Sequence, residues 1–357
     1  MSRPERPSLL SLSADDLASL VAAAGYAPMH APRLHRAVLD GLLPGQVRGV
    51  PPRLIAACLE ACDWTSATAI ERVAGDDGSS KLLVRLADGR SVESVHLPGA
   101  GSLPGAPAAA AGRQPVGSGC LSSQVGCAVG CRFCASGLDR VARNLTAAEI
   151  LEQVALLRRI GRVQRLVFMG SGEPSLNLRN LASALVTLRD HGGIGPRHVL
   201  VSTVGPAAAI DRLAGLGLKF TLAVSLHGAD RSQRGGLIPT HAAVDPAELL
   251  DAADRFAEAT GRAYQVEYVL LSGVNDTDAD AQRLAGLLSG RRAHVSAIRW
   301  NAVAGMPFET PTWPRAQAFV GLLHRAGVSA RLRRTVGHEA TGACGQLRAQ
   351  RELQIPG

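Results

Sequence analysis

The chain has 357 residues, 46% apolar and 19% charged, with 38 Lys and Arg against 30 Asp and Glu for a net charge of +8. That length buries a full core over one large domain and a smaller companion, and no run of about 18 apolar residues marks a membrane span. Seven cysteines are too sparse, and odd in number, for a disulfide scaffold. The positive balance directs attention to a polyanionic partner, nucleic acid first, although aromatics at 3% exclude many stacked bases.

The opening MSRPERPSLLSLSADD lacks the charged-then-apolar layout of a secretory signal. Residues 1–62 read as a helical accessory region. Ser13 caps a helix over Ala14–Ala24, and prolines open two more near Pro32–Leu43 and Pro51–Cys62. Cys58 and Cys62, four apart, read as buried helix-face thiols because no His or Cys neighbour completes a metal site. Residues 63–98 switch to alternating runs divided by Asp77-Gly78 and Asp88-Gly89, a three-stranded meander. Residues 99–118, rich in Gly, Ala and Pro, read as a low-complexity linker.

From residue 119 to about 335, strands and helices alternate. The strand candidates are Cys120–Ser123, Arg165–Met169, His198–Ser202, Lys219–Leu226, Gln265–Leu271, His294–Trp300 and Val328–Arg333. Between them fall helical runs near Ala147–Ile160, Leu178–His191, Ala207–Leu216, Pro246–Thr260, Asp278–Leu288 and Pro314–Ala326. The alternation predicts an α/β fold with a parallel sheet, open or closed. Its six βα units, fewer than the eight of a complete barrel, suit a partial barrel with chemistry at the C-terminal strand ends.

One stretch at that rim dominates the chemistry: Cys120 to Cys134, reading CLSSQVGCAVGCRFC. Cys127, Cys131 and Cys134 have C-x3-C-x2-C spacing, and Gly126 and Gly130 let the loop turn tightly. Three thiolates without a local fourth can hold three irons of a 4Fe–4S cluster and leave one iron open, where S-adenosylmethionine (SAM) chelates and is split by one electron. A zinc site favours paired C-x2-C ligands and four closed positions, and a purely electron-transferring cluster wants a fourth thiolate. Cluster thiols need a reducing compartment, so the cytoplasm is the expected location.

Other rim residues fall into place around this loop. Gly170-Ser171-Gly172-Glu173-Pro174 follows the second strand and can meet an ammonium group through Glu173 or carbonyls; its bland reading is an ordinary turn. Ser202 and Thr203 can bind an adenosyl or carboxylate group, or cap a helix. His227, after Ser225-Leu226, is a ligand contact or a core imidazole, and Asn301 can pair with an adenine edge. Cys344, in Gly342-Ala343-Cys344-Gly345-Gln346-Leu347, has flanking glycines that suggest an exposed loop.

The blocks LSSQVGCAVGCRFCASG, ARNLTAAEI, VFMGSGEPSLN, VSTVG, AVSLH, EYVLLSGVND and GACGQL, in this order, resemble the RlmN/Cfr family of radical SAM RNA methyltransferases. The resemblance runs from about Val92 to Leu347. It implies a partial (βα)6 radical SAM barrel with an N-terminal accessory domain, and methylation of C2 or C8 of an adenosine in 23S ribosomal RNA, with tRNA a further substrate. It also implies one 4Fe–4S cluster on Cys127, Cys131 and Cys134, and SAM contacts at Gly172, Glu173, Ser202, Ser225, Leu226, His227 and Asn301. Cys344, in a mobile segment spanning 336–357, would become S-methylated; Cys120 would then pair with it in a disulfide; Glu93 would accept the ring proton. The expected partners are RNA and an electron donor such as flavodoxin or ferredoxin, with no membrane, for a monomer. The alternatives are the same chemistry on tRNA or another substrate, and a non-catalytic cluster-binding protein that interacts with RNA.

Several positions depart from the family wording. Ser171 stands where Met is common and Val204 where a second Ser is usual, while Arg299-Trp300-Asn301-Ala302-Val303 replaces a Pro-Phe-Asn-Pro pattern. Residues 99–118 resemble an insertion, and Gly337–Thr341 lacks an acidic pair.

Overall fold

The computed structural model describes residues 6–99, 116–138, 140–334, 337 and 342–347. Most of the linker expected at 99–118, and most of the segment at 336–357, lies outside the described residues.

Three helices come first: α1 (Ala14–Ala23), α2 (His30–Leu39) and α3 (Pro52–Ala61). Ser13 caps α1 by accepting from the Asp16 amide, and Pro51-Pro52 opens α3. Their apolar faces bury Leu17, Val21, Leu34, Val38 and Leu54, with Cys58 and Cys62 as core thiols. The meander follows as β1 (Thr68–Ala74), β2 (Ser80–Arg85) and β3 (Ser91–Leu97), antiparallel throughout. Its turns are set where Asp77 and Asp88 accept the amides of Ser79 and Arg90.

β3 then pairs antiparallel with β4 (Gly117–Cys120), so the meander is the antiparallel flank of the main sheet. After β4 come β5 (Gln124–Val125) and β6 (Arg143–Asn144), a short ribbon clasping the cysteine loop. The chain continues through α4 (Ala147–Arg158), β7 (Val163–Phe168), α5 (Leu178–Asp190), β8 (Val199–Thr203), α6 (Ala207–Ala214), β9 (Thr221–Ser225), α7 (Arg231–Leu237) and α8 (Pro246–Thr260). It ends in β10 (Tyr264–Leu270), α9 (Asp278–Leu288), β11 (Ala293–Arg299), α10 (Trp313–Arg325) and β12 (Ala330–Leu332).

The strands form one sheet in the order β1-β2-β3-β4-β7-β8-β9-β10-β11-β12, and every neighbouring pair from β4 onward is parallel. Among the described residues β12 does not pair back to β4, so the barrel is open: a partial (βα)6 barrel. Helices cover its outer face over a core of Leu166, Phe168, Leu222, Phe256, Tyr264, Tyr268 and Phe319.

The first barrel strand lies three residues earlier than Cys120–Ser123. Gly117 and Gly119 look like linker, yet a Cβ on Gly119 would stand 2.9 Å from Leu157 of α4, so glycine there is what lets helix and sheet close up. Helix α7, unforeseen because its RSQRGGL sequence carries two glycines, is capped by the Asp230 side chain on the Gln233 amide. No helix among the described residues is long and apolar enough to cross a membrane.

Candidate active site

The cysteine loop leaves β5 at Gly126, where φ is +74° and a Cβ would collide with the Arg140 carbonyl; only glycine takes this turn without strain. Beyond it Cys127, Cys131 and Cys134 are half-buried and line a cavity together with Glu173, Ser202, His227 and Asn301. Burial pushes the three thiols up, Cys134 to about 11, with repulsion from neighbouring cysteines adding to the rise at Cys131 and Cys134 and from Glu173 at Cys127. Such a set ionises when a metal compensates the charge. Among the described residues no three His, Cys, Asp or Glu side chains converge on a single ion. Three thiols in C-x3-C-x2-C spacing on one loop, all lining one cavity, suit the three protein-held irons of an iron–sulfur cluster.

The next wall is the loop after β7. Gly172 has φ +101°, and a Cβ there would lie 2.6 Å from Gln124, so this turn presses directly on the strand before the cysteine loop. Glu173 is buried; it accepts the Ser175 amide at 3.0 Å and the Val204 amide at 3.1 Å, while its own amide donates to Gln124. Burial raises its carboxyl above the ordinary range despite those donors. Ser202 of β8 and Ser225 of β9 meet hydroxyl to hydroxyl at 2.8 Å on the cavity wall.

His227 carries the only positive φ among the described non-glycine residues, +60°. Asn275 holds that turn, donating to the His227 and Val269 carbonyls while accepting the Leu271 amide. Burial, reinforced by Arg234, lowers His227 to about 3, so the ring is neutral. Its Nδ1 accepts the Val269 amide at 3.1 Å, which leaves the proton on Nε2 as a donor. The ring packs edge-on against Phe133 at 4.8 Å, coupling strand β9 to the cysteine loop.

A second cavity, of about 950 Å³, holds Cys120, Arg333, Arg334 and Ala343. It shares Met169, Ile298, Asn301 and Cys344 with the first. Cys344 thus stands at the junction and is exposed there. Its segment is fastened to the cysteine loop: the Ala135 amide donates to the Gly345 carbonyl at 2.7 Å and Ser136 Oγ to Leu347 at 2.6 Å. Asn301 Nδ2 donates to the Cys344 carbonyl at 2.9 Å, and Gln346 to Ala302 at 3.0 Å. Trp300, which departs from the family wording, donates to the Phe133 carbonyl at 2.8 Å and so braces the same loop.

Burial pushes Cys120 up to about 12, with Cys344 adding to the rise. All seven cysteines are free thiols; the disulfide expected between Cys120 and Cys344 is not formed. Glu93 shares a sheet face with Cys120, being two residues from Val95, the cross-strand partner of Cys120. It is buried in an ion pair with Lys81 at 2.8 Å and lines neither cavity. Leu226 lines neither as well; it is fully buried, its amide donating to the Glu267 carbonyl.

Two charged residues at the site escape sequence reasoning. Glu267 of β10 lines the first cavity, buried, with Oε2 3.5 Å from Arg333. A lone acid in the apolar run of a buried strand was the available signal. Arg234 of α7 lies fully buried behind the cavity wall; nothing in its RSQRGGL context marks it.

The radical SAM superfamily matches residues 121–285. The chain is 40% identical over 98% of its length to the probable dual-specificity RNA methyltransferase RlmN of Rhodopirellula baltica, covering 92% of that protein. It is 42% identical over 98% of its length to the probable dual-specificity RNA methyltransferase RlmN 1 of Opitutus terrae, covering 99% of it. A radical SAM methyltransferase from Sphaerobacter thermophilus superposes with a TM-score of 0.85 at 34% identity, over 96% of this chain and all of that one. Family, relatives and barrel agree: the chain belongs to the RlmN-type RNA methyltransferases of the radical SAM superfamily, enzymes of SAM and an iron–sulfur cluster.

Proposed function

We propose that this enzyme methylates C2 or C8 of an adenosine in RNA, 23S ribosomal RNA first and tRNA second, with Cys344 as the methyl carrier. The observation that carries the reading is Cys344 itself, an exposed thiol shared by the cavity of the three cysteines and the cavity of Cys120.

Cys127, Cys131 and Cys134 would hold a 4Fe–4S cluster, with Gly172, Glu173, Ser202, Ser225, His227 and Asn301 around SAM and Leu226 packed behind them. Together these groups supply a carbon-centred radical, which is what an unreactive amidine carbon requires. The protein's own part is positional. Asn301 holds Cys344 by its carbonyl and the Ala135–Ser136 turn holds Gly345 and Leu347 after it, so the sulfur can serve one cavity as methyl acceptor and the other as carbon donor. Arg333 and Arg334 give the second cavity a positive wall suited to a nucleotide phosphate.

Once the carbon is joined to the base, Cys120 attacks Cys344 sulfur, and a disulfide forms as the S–C bond breaks. The electron pair of that bond leaves with the carbon, which takes a proton to become the methyl group, and exchange with an external thiol reduces the disulfide. Glu93 is the candidate for removing the ring proton, which requires it to exchange Lys81 for the substrate. A flavodoxin- or ferredoxin-type donor would deliver the electron, and a monomer in the cytoplasm suffices.

The test is incubation of the anaerobically reconstituted enzyme with SAM, reductant and a ribosomal RNA fragment, followed by nucleoside mass spectrometry. Adenosine methylated on a ring carbon is expected from the wild type and none from Cys344→Ala. Cys120→Ala should leave a covalent protein–RNA species on a denaturing gel. Ring methylation that persists in Cys344→Ala would sink the proposal.

A further inference from the structure

Arg234 is the bulkiest of the fully buried side chains. A guanidinium taken out of water needs compensating charge, because its desolvation is otherwise uncompensated. Its hydrogen bonds go to neutral carbonyls: Nη2 to Val204 and Nη1, at 3.4 Å, to His241, with Nε unpartnered. Among the described residues no carboxylate stands in ion-pair contact with it. Val204, whose carbonyl it meets, lines the cavity of the three cysteines and gives its amide to Glu173, so the guanidinium stands directly behind that wall. Burial lowers Arg234 itself only to about 10, so it stays charged at neutral pH.

Its place is rigid. A Cβ on Gly228 would lie 2.7 Å from the Arg234 amide nitrogen, so α7 sits directly on the turn after His227. The Arg132 amide donates to the Leu237 carbonyl at 3.0 Å, and the Thr240 hydroxyl to Val129, pinning the C-terminal end of α7 and the turn after it to the cysteine loop. Arg234 does not line the cavity, so it acts on that loop through its field and not by touching SAM.

We propose that Arg234 is the built-in counter-charge of the iron–sulfur cluster, a positioning residue that stabilises the reduced, more anionic state. The proposal rests on the cluster reading above. Three thiolates make the loaded site anionic, and a one-electron donor adds one further negative charge on reduction. A fixed positive charge a short distance away in a low-dielectric wall favours that gain and raises the potential.

The test compares wild type, Arg234→Gln and Arg234→Lys after anaerobic reconstitution, reading iron per chain and the cluster's midpoint potential by electron paramagnetic resonance titration. Arg234→Gln should shift the reduced-to-oxidised balance at least tenfold toward the oxidised state, about 59 mV to more negative potential for one electron. Arg234→Lys, which keeps the charge, should stay near the wild type. If Gln costs cluster loading before a potential can be read, the charge role still demands that Lys restore iron uptake. Lys and Gln variants alike in both readouts would overturn the role of Arg234 alone. A wild type that takes up no iron would overturn the cluster reading and this proposal together.

Discussion

At the scale of single residues, the site is made from groups held in forms they would not adopt in water. His227 is the clearest, a neutral imidazole with φ +60° kept there by Asn275 and the Val269 amide. Folding suppresses its protonation, its folded value being about 3 against 6.5 unperturbed. Between those values the unfolded chain binds a proton that the folded chain refuses, so stability falls as pH drops below about 6.5, at roughly 1.4 kcal/mol per unit. Asparagine tolerates positive φ and can accept the same amide. His227→Asn should therefore lose about 2 kcal/mol less than the wild type between pH 7 and pH 5, measured by urea unfolding of the cluster-free protein. Equal losses would mean that His227 titrates normally. The motif block EYVLLSGVND also takes on meaning at this scale: its Asn275 is a buried brace between strand ends, and its Glu267 faces the cavity.

At the scale of elements, what could be read depended on whether a signal was local. Helices α8 and α9 begin and end where sequence places them, because Asp245-Pro246 and the Thr277–Asp280 capping box are complete within one turn. The two-residue strands β5 and β6 are too short for any periodicity. The partner of Glu93 was invisible because the Lys81 contact depends on the register of β2 on β3. Arg143 shows the same lesson. In the sequence it belongs to a family block; in the fold it grips Glu149 through two nitrogens and Asp88 through Nε, tying ribbon, helix α4 and meander together. Arg143 holds the Asp88 carboxyl well below its usual range. A depressed carboxylate contributes stability above its unfolded value and loses it as pH falls through the folded one. Arg143→Ala should thus cost about 2 kcal/mol at pH 7, between the values for exposed and buried pairs. The deficit should narrow as pH falls below about 4, read from denaturant midpoints of both proteins. A deficit independent of pH would assign the loss to packing of the side chain instead.

At the scale of the whole molecule, a net charge of +8 invites an RNA-binding reading, yet part of that charge is spent inside the fold. Arg158 reaches the Leu39 and Gly192 carbonyls and Asp40, and Arg291 pairs with Asp251 and Asp254. These join helices to one another and leave little charge for a ligand. The trio Arg331, Arg333 and Arg334 is different: Arg331 and Arg334 are exposed, and Arg333 and Arg334 line the cavity shared by Cys120 and Cys344. Charge count alone could not separate these cases, since the distinction lies in which carbonyls and carboxylates the fold brings within reach. If the trio meets phosphates, RNA affinity should fall with salt, and removing each contact should reduce the log–log slope by roughly 0.7 for a single strand. The double variant Arg331→Ala/Arg334→Ala should lower that slope by about 1.4 while leaving SAM binding intact. Arg162→Ala/Arg165→Ala, two exposed residues that line neither cavity, should leave it unchanged. Fluorescence anisotropy of a labelled RNA hairpin across a salt series reads both. Equal slope losses in the two double variants would mean that RNA is held by diffuse charge over the surface and not at the mouth of the cavity.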